Sequence, residues 1–178
     1  MGCGIKPIVR VLHENNIPTN IRRTNRRLKE YYFSNIDTSN KAYFLGLLFA
    51  DGNISRDDTR EAMIKIQLLN EDKQLLEKFK LEIASDGTIM NAKGDTCALA
   101  IRSNQMATDL EQLGIIPNKT YETHFLPSNI PLAFLTDFLR GYVDGDGSLY
   151  FVTENNTFHL SITSHYLTMT DNFRDVVY

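Results

Sequence analysis

A nine-residue segment that occurs twice constrains the fold of this chain more than any other feature of its sequence. Residues 44–52 read FLGLLFADG, and residues 139–147 read LRGYVDGDG. Each copy is a short apolar stretch of helical character with a glycine inside it, and each ends in Asp-Gly. The acid of the second copy, Asp146, follows Asp51 of the first by 95 positions (146 − 51). A duplicated helix that delivers one carboxylate per copy predicts a site shared across a pseudo-two-fold axis.

Local energetics oppose the position of these two acids. A carboxylate in the last turn of a helix faces the negative end of the helix dipole, which costs up to about 1 kcal/mol, and Lys or Arg is preferred there. A divalent cation held between Asp51 and Asp146 would reverse the local electrostatics. The alternative is that each Asp-Gly pair only makes a turn, because both residues are frequent in turns. Because the Asp-Gly pair occurs in two matching segments, we favour the cation site.

Gly46 and Gly141 occupy the same position in the two copies. Glycine inside a helix costs roughly 1 kcal/mol relative to alanine, so it usually has a packing reason. Without Cβ atoms, two helices can cross with their backbones almost in contact. We therefore predict that the two helices cross at these glycines and bring Asp51 and Asp146 together. Two unrelated glycines in two core helices are the alternative.

The two segments resemble the LAGLIDADG motif of homing endonucleases. The residues that match it letter for letter are Gly46, Leu47, Ala50, Asp51 and Gly52 in the first copy and Leu139, Gly141, Asp144, Asp146 and Gly147 in the second. Phe49, Arg140 and Tyr142 depart from the motif, and none of these departures removes the penultimate acid. The resemblance covers roughly residues 40–178 and implies that Asp51 and Asp146 bind metal.

The resemblance also implies an α/β (α+β) fold, in which αββαββα repeats related by a pseudo-two-fold axis carry saddle-shaped antiparallel sheets. The periodicity of the first repeat agrees with this order. It predicts a motif helix that begins near residues 37–39 and ends at Gly52, strands at 53–56, 61–69, 88–91 and 96–102, and helices at 71–84 and 104–113. An antiparallel ribbon of this kind can lie in the DNA major groove.

The second repeat is predicted to be shorter than the first. Asn129 and Pro131 are expected to open its motif helix, with strands at 148–153 and 158–163 and a further helix from about residue 166. The first repeat extends 62 positions from Asp51 to Leu113 (113 − 51), whereas 32 positions follow Asp146 (178 − 146). We therefore expect a basic region over residues 1–36, a first repeat over 37–127 and an incomplete second repeat over 128–178. Two motifs in one chain predict a monomer, and a truncated second repeat would allow a dimer.

Basic residues concentrate at the start of the chain. Residues 1–41 hold 8 Lys and Arg against 3 Asp and Glu, whereas residues 42–178 hold 11 against 19, and the whole chain has a net charge of −3. Residues 5–15 have helical spacing that resembles the tail of a helix-turn-helix unit. The arm that follows is expected to contact DNA phosphates through Arg22, Arg23, Arg26 and Arg27. A solvated linker is the alternative.

The remaining composition is that of an ordinary globular protein, with 42% hydrophobic and 23% charged residues. No apolar run approaches the roughly 20 residues that a membrane span needs, and no secretory leader is visible. We therefore expect a cytoplasmic (intracellular) protein with no membrane partner. Cys3 and Cys97 provide neither a disulfide framework nor zinc-ligand spacing.

Hydrolysis of a phosphodiester needs an activated water and neutralised charge on the attacking and leaving oxygens, which carboxylate-bound metal ions supply. Mg²⁺, which Mn²⁺ can replace, suits such oxygen ligands. The resemblance implies that Asp51 and Asp146 hold the metal, with the backbone carbonyls of Ala50 and Gly145 as further ligands.

Other polar side chains are candidates for supporting roles, and an ordinary surface position is the alternative for each of them. Candidates for ordering the water network are Gln67, Asn70, Ser161 and Ser164. The basic candidates beside the scissile phosphate are Arg102 and Lys119. Candidates for contacts to the DNA target site are Lys65, Gln67, Arg102, His159, Ser161 and Thr163.

The sequence therefore predicts a site-specific double-strand DNA endonuclease. No intein splice-junction pattern is present, so the gene is expected to be intron-encoded or free-standing. The alternative from another class is a DNA- or RNA-binding protein on the same fold that does not cleave, such as a maturase or a regulator. A purely structural helical core, in which the Asp-Gly ends are accidental, is the third hypothesis.

Overall fold

The first repeat forms a mixed helix-and-strand unit in the order αββαββα. The computed structural model describes residues 15, 27–115, 127 and 130–162. The elements of this repeat are α1 (Ser39–Asp51), β1 (Gly52–Asp57), β2 (Arg60–Leu69), a 3₁₀ turn (Asn70–Asp72), α2 (Lys73–Glu82), β3 (Met90–Ala92), β4 (Thr96–Arg102) and α3 (Asn104–Gln112). Within the described part of the second repeat, α4 (Leu132–Asp146) leads into β5 (Gly147–Val152) and β6 (Thr157–Ile162).

Helix α1 is the central element of the core. The hydroxyl of Thr38 caps its first turn by accepting a 3.3 Å hydrogen bond from the Lys41 amide. Its apolar residues are buried on every side of the helix, which is expected of a helix that packs against a sheet on one side and a second helix on the other. The helix ends at Gly52, whose amide donates to the carbonyl of Leu48. The chain then passes directly into β1.

The first sheet is antiparallel, with strand order β1-β2-β4-β3. The two faces of β2 differ, because side chains alternate along a strand. Ala62, Ile64 and Ile66 are buried against the helices, while Lys65 and Gln67 lie half-exposed on the opposite face. This polar face is the side of β2 that the sequence predicts to be available to a ligand.

The second sheet is a two-stranded antiparallel hairpin in the described residues. Its register repeats that of the first, because Gly147 pairs with Ile162 as Gly52 pairs with Ile66. Leu149 pairs with Leu160, as Ile54 pairs with Ile64. The exposures differ: Leu149 is 69% exposed and Ile54 is 1% exposed. In the described part of the chain, the apolar face of the second hairpin has no layer of helices over it.

The structure confirms the predicted mixed fold with antiparallel sheets, and the elements differ from the predictions only at their ends. The helix predicted from residue 71 begins as a 3₁₀ turn, and β3 covers Met90–Ala92 where residues 88–91 were predicted. Pro131 is the N-cap of α4 and makes no side-chain capping bond. Asn129 and the helix predicted from about residue 166 lie outside the described residues. Within the described part of the chain, no helix is both long and apolar enough to cross a lipid bilayer.

Candidate active site at the paired helix ends

Helices α1 and α4 cross with their backbones in direct contact at two glycines. A Cβ atom on Gly46 would overlap the carbonyl oxygen of Phe138 and lie 2.8 Å from the amide nitrogen of Tyr142. A Cβ atom on Gly141 would overlap the carbonyl oxygen of Tyr43 and lie 3.1 Å from the amide nitrogen of Leu47. Gly46 therefore faces Phe138 and Tyr142, which lie three positions before and one position after Gly141. Gly141 faces Tyr43 and Leu47, which are placed in the same way about Gly46. This reciprocity is the signature of a pseudo-two-fold axis through the crossing.

The two helices also end in the same manner. Gly147 is the C-cap of α4, and its amide donates to the carbonyl of Val143, as the Gly52 amide donates to Leu48. Both glycines adopt extended backbone angles, and a Cβ atom on either would press on the carbonyl that its own amide contacts. Each carboxylate, Asp51 or Asp146, is thus the last helical residue before a strand.

The ends of the two helices lie side by side. A Cβ atom on Gly145 would overlap the Cβ of Ala50 and would lie 2.7 Å from Oδ2 of Asp51. The Asp51 carboxylate therefore occupies the space that a side chain at position 145 would fill. Asp51, Gly145 and Asp146 are all half-buried, so the oxygens at this junction are partly shielded from water and still open to a large ligand.

The two flanks of the crossing carry different pairs of side chains at equivalent positions. On one flank the Tyr43 hydroxyl donates a 2.7 Å hydrogen bond to Oδ2 of Asp144. On the other, Phe138 and Phe49 make an edge-to-face contact with ring centroids 5.3 Å apart. Burial, followed by the hydrogen bond to Asp144, raises the pKa of Tyr43. The phenol is therefore neutral and remains a donor to Asp144 over the physiological pH range.

The polar face of the first sheet continues from the end of α1. Gly52 pairs with Ile66, so Gln67 lies on β2 beside the helix end. Its carbonyl accepts a 2.8 Å hydrogen bond from Lys65 Nζ, and its amide donates at 3.0 Å to Oγ1 of Thr96. The Gln67 side chain is thus held in one orientation, and Lys65 places a cation on the same face.

Two other candidates of the first repeat lie farther from the paired ends. Arg102 pairs with Met63, three residues along β2 from Ile66, which corresponds to about 10 Å. Its guanidinium is exposed and donates to the carbonyl of Glu61. Asn70 lies beyond the other end of β2, where its amide donates at 2.6 Å to Oδ1 of Asp95. The structure therefore brings Gln67 near the helix ends and leaves Arg102 and Asn70 at opposite ends of the strand.

On the second hairpin, the face that matches the polar face of the first sheet carries Ser148, Tyr150, His159 and Ser161. His159 pairs with Tyr150, and their rings stack at 5.4 Å with an angle of 14° between planes. His159 and Ser161 are exposed. Among the remaining candidates, Arg27 is described and exposed. Arg22, Arg23, Arg26, Lys119, Thr163 and Ser164 lie outside the described residues.

The donors at the helix ends fit a hard divalent cation. No group of three or more His, Cys, Asp and Glu side chains that could hold a metal occurs among the described residues. Two carboxylates with adjacent backbone carbonyls are a sparse oxygen set, which suits Mg²⁺ because this ion keeps several waters and binds substrate phosphates directly. Because Gly145 has no Cβ, there is room at the junction for the Asp51 oxygen. We therefore treat the paired ends as a candidate metal site.

Sequence reasoning missed the two flanking pairs and the contact between Ala50 and Gly145. Asp144 belongs to the second copy of the motif, where the sequence indicates no role for it, and Tyr43 lies one residue before the first copy. A helical projection about Gly46 and Gly141 would have placed both residues on the crossing face, since they lie three positions from a glycine.

No family model matches the sequence, and no curated protein matches it. Solved structures that match include LAGLIDADG homing endonucleases. The I-SmaMI LAGLIDADG homing endonuclease bound to cleaved DNA is 15% identical, with 75% of this chain and 70% of that chain covered at a TM-score of 0.47. I-GzeII in complex with its DNA target is 16% identical, with 67% and 64% covered at a TM-score of 0.39. I-SmaMI bound to an uncleaved DNA target in the presence of calcium ions is 15% identical, with 68% of this chain and 65% of that chain covered at a TM-score of 0.40.

Proposed function

We propose that this chain is a site-specific double-strand DNA endonuclease of the LAGLIDADG homing type, which hydrolyses phosphodiesters with divalent metal held by one Asp from each motif helix. The observation that carries the proposal is the meeting of two carboxylate-ended helices around a pseudo-two-fold axis. The two strands of a DNA duplex are themselves related by two-fold axes, and symmetric proteins align with them. One carboxylate can then serve each strand.

The chemistry follows from the donors at the junction. Asp51 and Asp146 would hold Mg²⁺, or Mn²⁺ in its place, together with the backbone carbonyls of Ala50 and Gly145. The bound cation would lower the pKa of a water and neutralise charge on the phosphate oxygens. Gln67 would orient a water at the edge of the site, because Lys65 and Thr96 fix its side chain.

The proposed basic groups beside the scissile phosphate are Arg102 and Lys119. Arg102 lies about 10 Å along the strand from the helix end, a position that also suits a phosphate or base contact farther from the cut. Lys119 lies outside the described residues. Asn70 is proposed to order water or to contact DNA at the other end of β2, where its amide donates to Asp95.

Two ribbons would contact the DNA target. Lys65, Gln67 and Arg102 lie on the polar side of the first sheet, and His159 and Ser161 lie on the corresponding side of the second hairpin. Thr163, the remaining proposed contact, lies outside the described residues. The arginine arm, Arg22, Arg23, Arg26 and Arg27, would contribute phosphate contacts that do not depend on sequence. Such a protein works where the DNA is, inside the cell.

The second hypothesis is a DNA- or RNA-binding protein on the same fold that does not cleave. The observation that bears on it is that no group of three or more His, Cys, Asp and Glu side chains that could hold a metal occurs among the described residues.

Cleavage of duplex DNA that carries the insertion site of the chain's own gene tests the proposal. With Mg²⁺ we expect discrete double-strand cuts that EDTA abolishes. Asp51→Asn and Asp146→Asn should each remove cutting while DNA binding is retained, because the amide keeps the shape and loses the charge. Asp58→Asn, which changes an exposed acid in the β1–β2 turn, is the matched control. Specific binding without cuts in Mg²⁺ or Mn²⁺ would support the second hypothesis instead.

A further inference from the structure

We propose that the interface between α1 and α4 is specific for the pairing of unlike helices, so that it accepts one α1 and one α4 and rejects a second copy of either. This inference is independent of the proposed function, because it concerns which helices can assemble the junction and not what the junction does. Three pairs of residues face each other across the crossing. For each pair, the question is which two residues would meet if a second copy of α1 replaced α4, or a second copy of α4 replaced α1.

The first pair is steric. Ala50 and Gly145 are equivalent positions (145 − 50 = 95), and a Cβ on Gly145 would overlap the Cβ of Ala50. Two copies of α1 at the same crossing would place Ala50 against Ala50 and produce that overlap. The interface therefore tolerates one alanine at this point and not two.

The second and third pairs are the flanks of the crossing. Tyr43 is equivalent to Phe138, and Phe49 is equivalent to Asp144 (138 − 43 = 144 − 49 = 95). Unlike helices give one Tyr–Asp hydrogen bond and one edge-to-face aromatic pair. Two copies of α4 would instead place Phe138 against Asp144 on both flanks, and each carboxylate would lose the phenol that donates to it. Two copies of α4 would therefore form neither the hydrogen bond nor the aromatic pair.

The glycines permit close approach for any of these pairings, so they cannot select among them. All three atoms nearest to a Cβ on Gly46 belong to α4, and all three nearest to a Cβ on Gly141 belong to α1. A bulky residue at either position would therefore meet the backbone of the facing helix at the crossing. This property makes the two glycines suitable for a complementation experiment.

The experiment uses two full-length chains, each with one helix blocked. In Gly141→Leu only α1 can still form the close helix crossing, and in Gly46→Leu only α4 can. Sedimentation velocity and light scattering measure the mass of each chain alone and of the equimolar mixture. We expect monomers from each chain alone and a 1:1 complex of twice the monomer mass from the mixture. Ala133→Leu, at an exposed position near the start of α4, is the control and should remain monomeric like the unaltered chain. Self-association of either blocked chain, or a mixture that stays monomeric although both chains are folded by circular dichroism, would overturn the proposal.

Removal of the steric pair gives a complementary test. Ala50→Gly added to Gly141→Leu leaves no alanine overlap between two α1 helices, so this double variant should gain self-association that Gly141→Leu lacks. If the blocked chains do not fold, the intact chain still provides a test: Gly145→Ala should lower the melting temperature, and Gly145→Ala with Ala50→Gly should recover most of the loss. No recovery would show that the opposed Cβ atoms do not decide the pairing.

Discussion

Oδ2 of Asp51 lies 2.7 Å from the point that a Cβ atom on Gly145 would occupy. The glycine of one motif thus leaves room for the carboxylate of the other, and the two halves of the candidate site depend on each other across the pseudo-two-fold axis.

Gly145→Ala is therefore expected to move the Asp51 carboxylate out of the junction. A displacement of about 1 Å at a reacting centre can reduce the rate about 100-fold, and we expect a loss of this order in the Mg²⁺-dependent cleavage of a plasmid substrate. Ala50→Gly in the same chain removes the overlap of Cβ atoms and should restore thermal stability. It should not restore cleavage, because the new Cβ would still lie only 2.7 Å from the present position of the Asp51 oxygen. Cleavage by Gly145→Ala at the unaltered rate would contradict this account.

Gly46→Ala and Gly141→Ala should each destabilise the protein. Helix propensity alone predicts the opposite, since alanine is favoured over glycine in a helix by about 1 kcal/mol. Here each new Cβ would overlap a backbone carbonyl of the facing helix, and overpacking of this kind costs typically about 1–3 kcal/mol. Urea unfolding measures the free energy of unfolding, and its sign decides between the two effects. Stabilisation by either substitution would mean that the helices do not cross in backbone contact.

Stability above pH 10 should depend on Tyr43. Burial and the bond to Asp144 raise the pKa of Tyr43 above the ordinary value of about 10. The folded state therefore keeps a proton that the unfolded state releases, and the stabilisation is complete below pH 10 and is lost as pH rises above it. Tyr43→Phe should make the fall in melting temperature above pH 10 shallower. Tyr32, whose pKa is also raised, should account for part of the slope that remains.

Tyr31→Phe is the control for this titration, because Tyr31 is 70% exposed. It should leave the alkaline slope of the melting temperature unchanged. An equal effect of both substitutions would assign the slope to tyrosine content in general and not to the contact between Tyr43 and Asp144.

The arginine arm should control the salt dependence of DNA binding. Replacement of Arg22, Arg23, Arg26 and Arg27 by Gln is expected to flatten the slope of log K against log salt by about one for each phosphate contact that is lost. The position of the cut should not change, because phosphate contacts carry no sequence information. Lys73→Gln with Lys78→Gln on α2, which packs on the apolar side of the sheet, serves as the control. A slope that does not change in the arm variant would make the arm a linker.

Much of the fold could be predicted from the sequence because its signals are local. The alternation of Ala62, Ile64 and Ile66 with Lys65 and Gln67 identified β2 and its two faces, since strand periodicity depends only on neighbours in the chain. The duplicated segment likewise predicted two helices of the same register with an acid at each end. Element ends were less well predicted: the 3₁₀ turn at Asn70–Asp72 and the position of β3 differ from the predictions.

The partners across the helix crossing were decided by the tertiary structure alone. Tyr43 and Asp144 are 101 positions apart, and nothing local to either residue indicates that the hydroxyl of one donates to the carboxylate of the other. Gln67 likewise combines a local and a tertiary contribution. The alternation of side chains along β2 predicted that it lies on the polar face, whereas its bond to Thr96 depends on the pairing of β2 with β4. The sequence by itself determined which residues each helix and strand presents, because the periodicity of side chains is a property of the local backbone. Only the packed chain decided which of them meet, because that depends on the angle and distance at which the two helices cross.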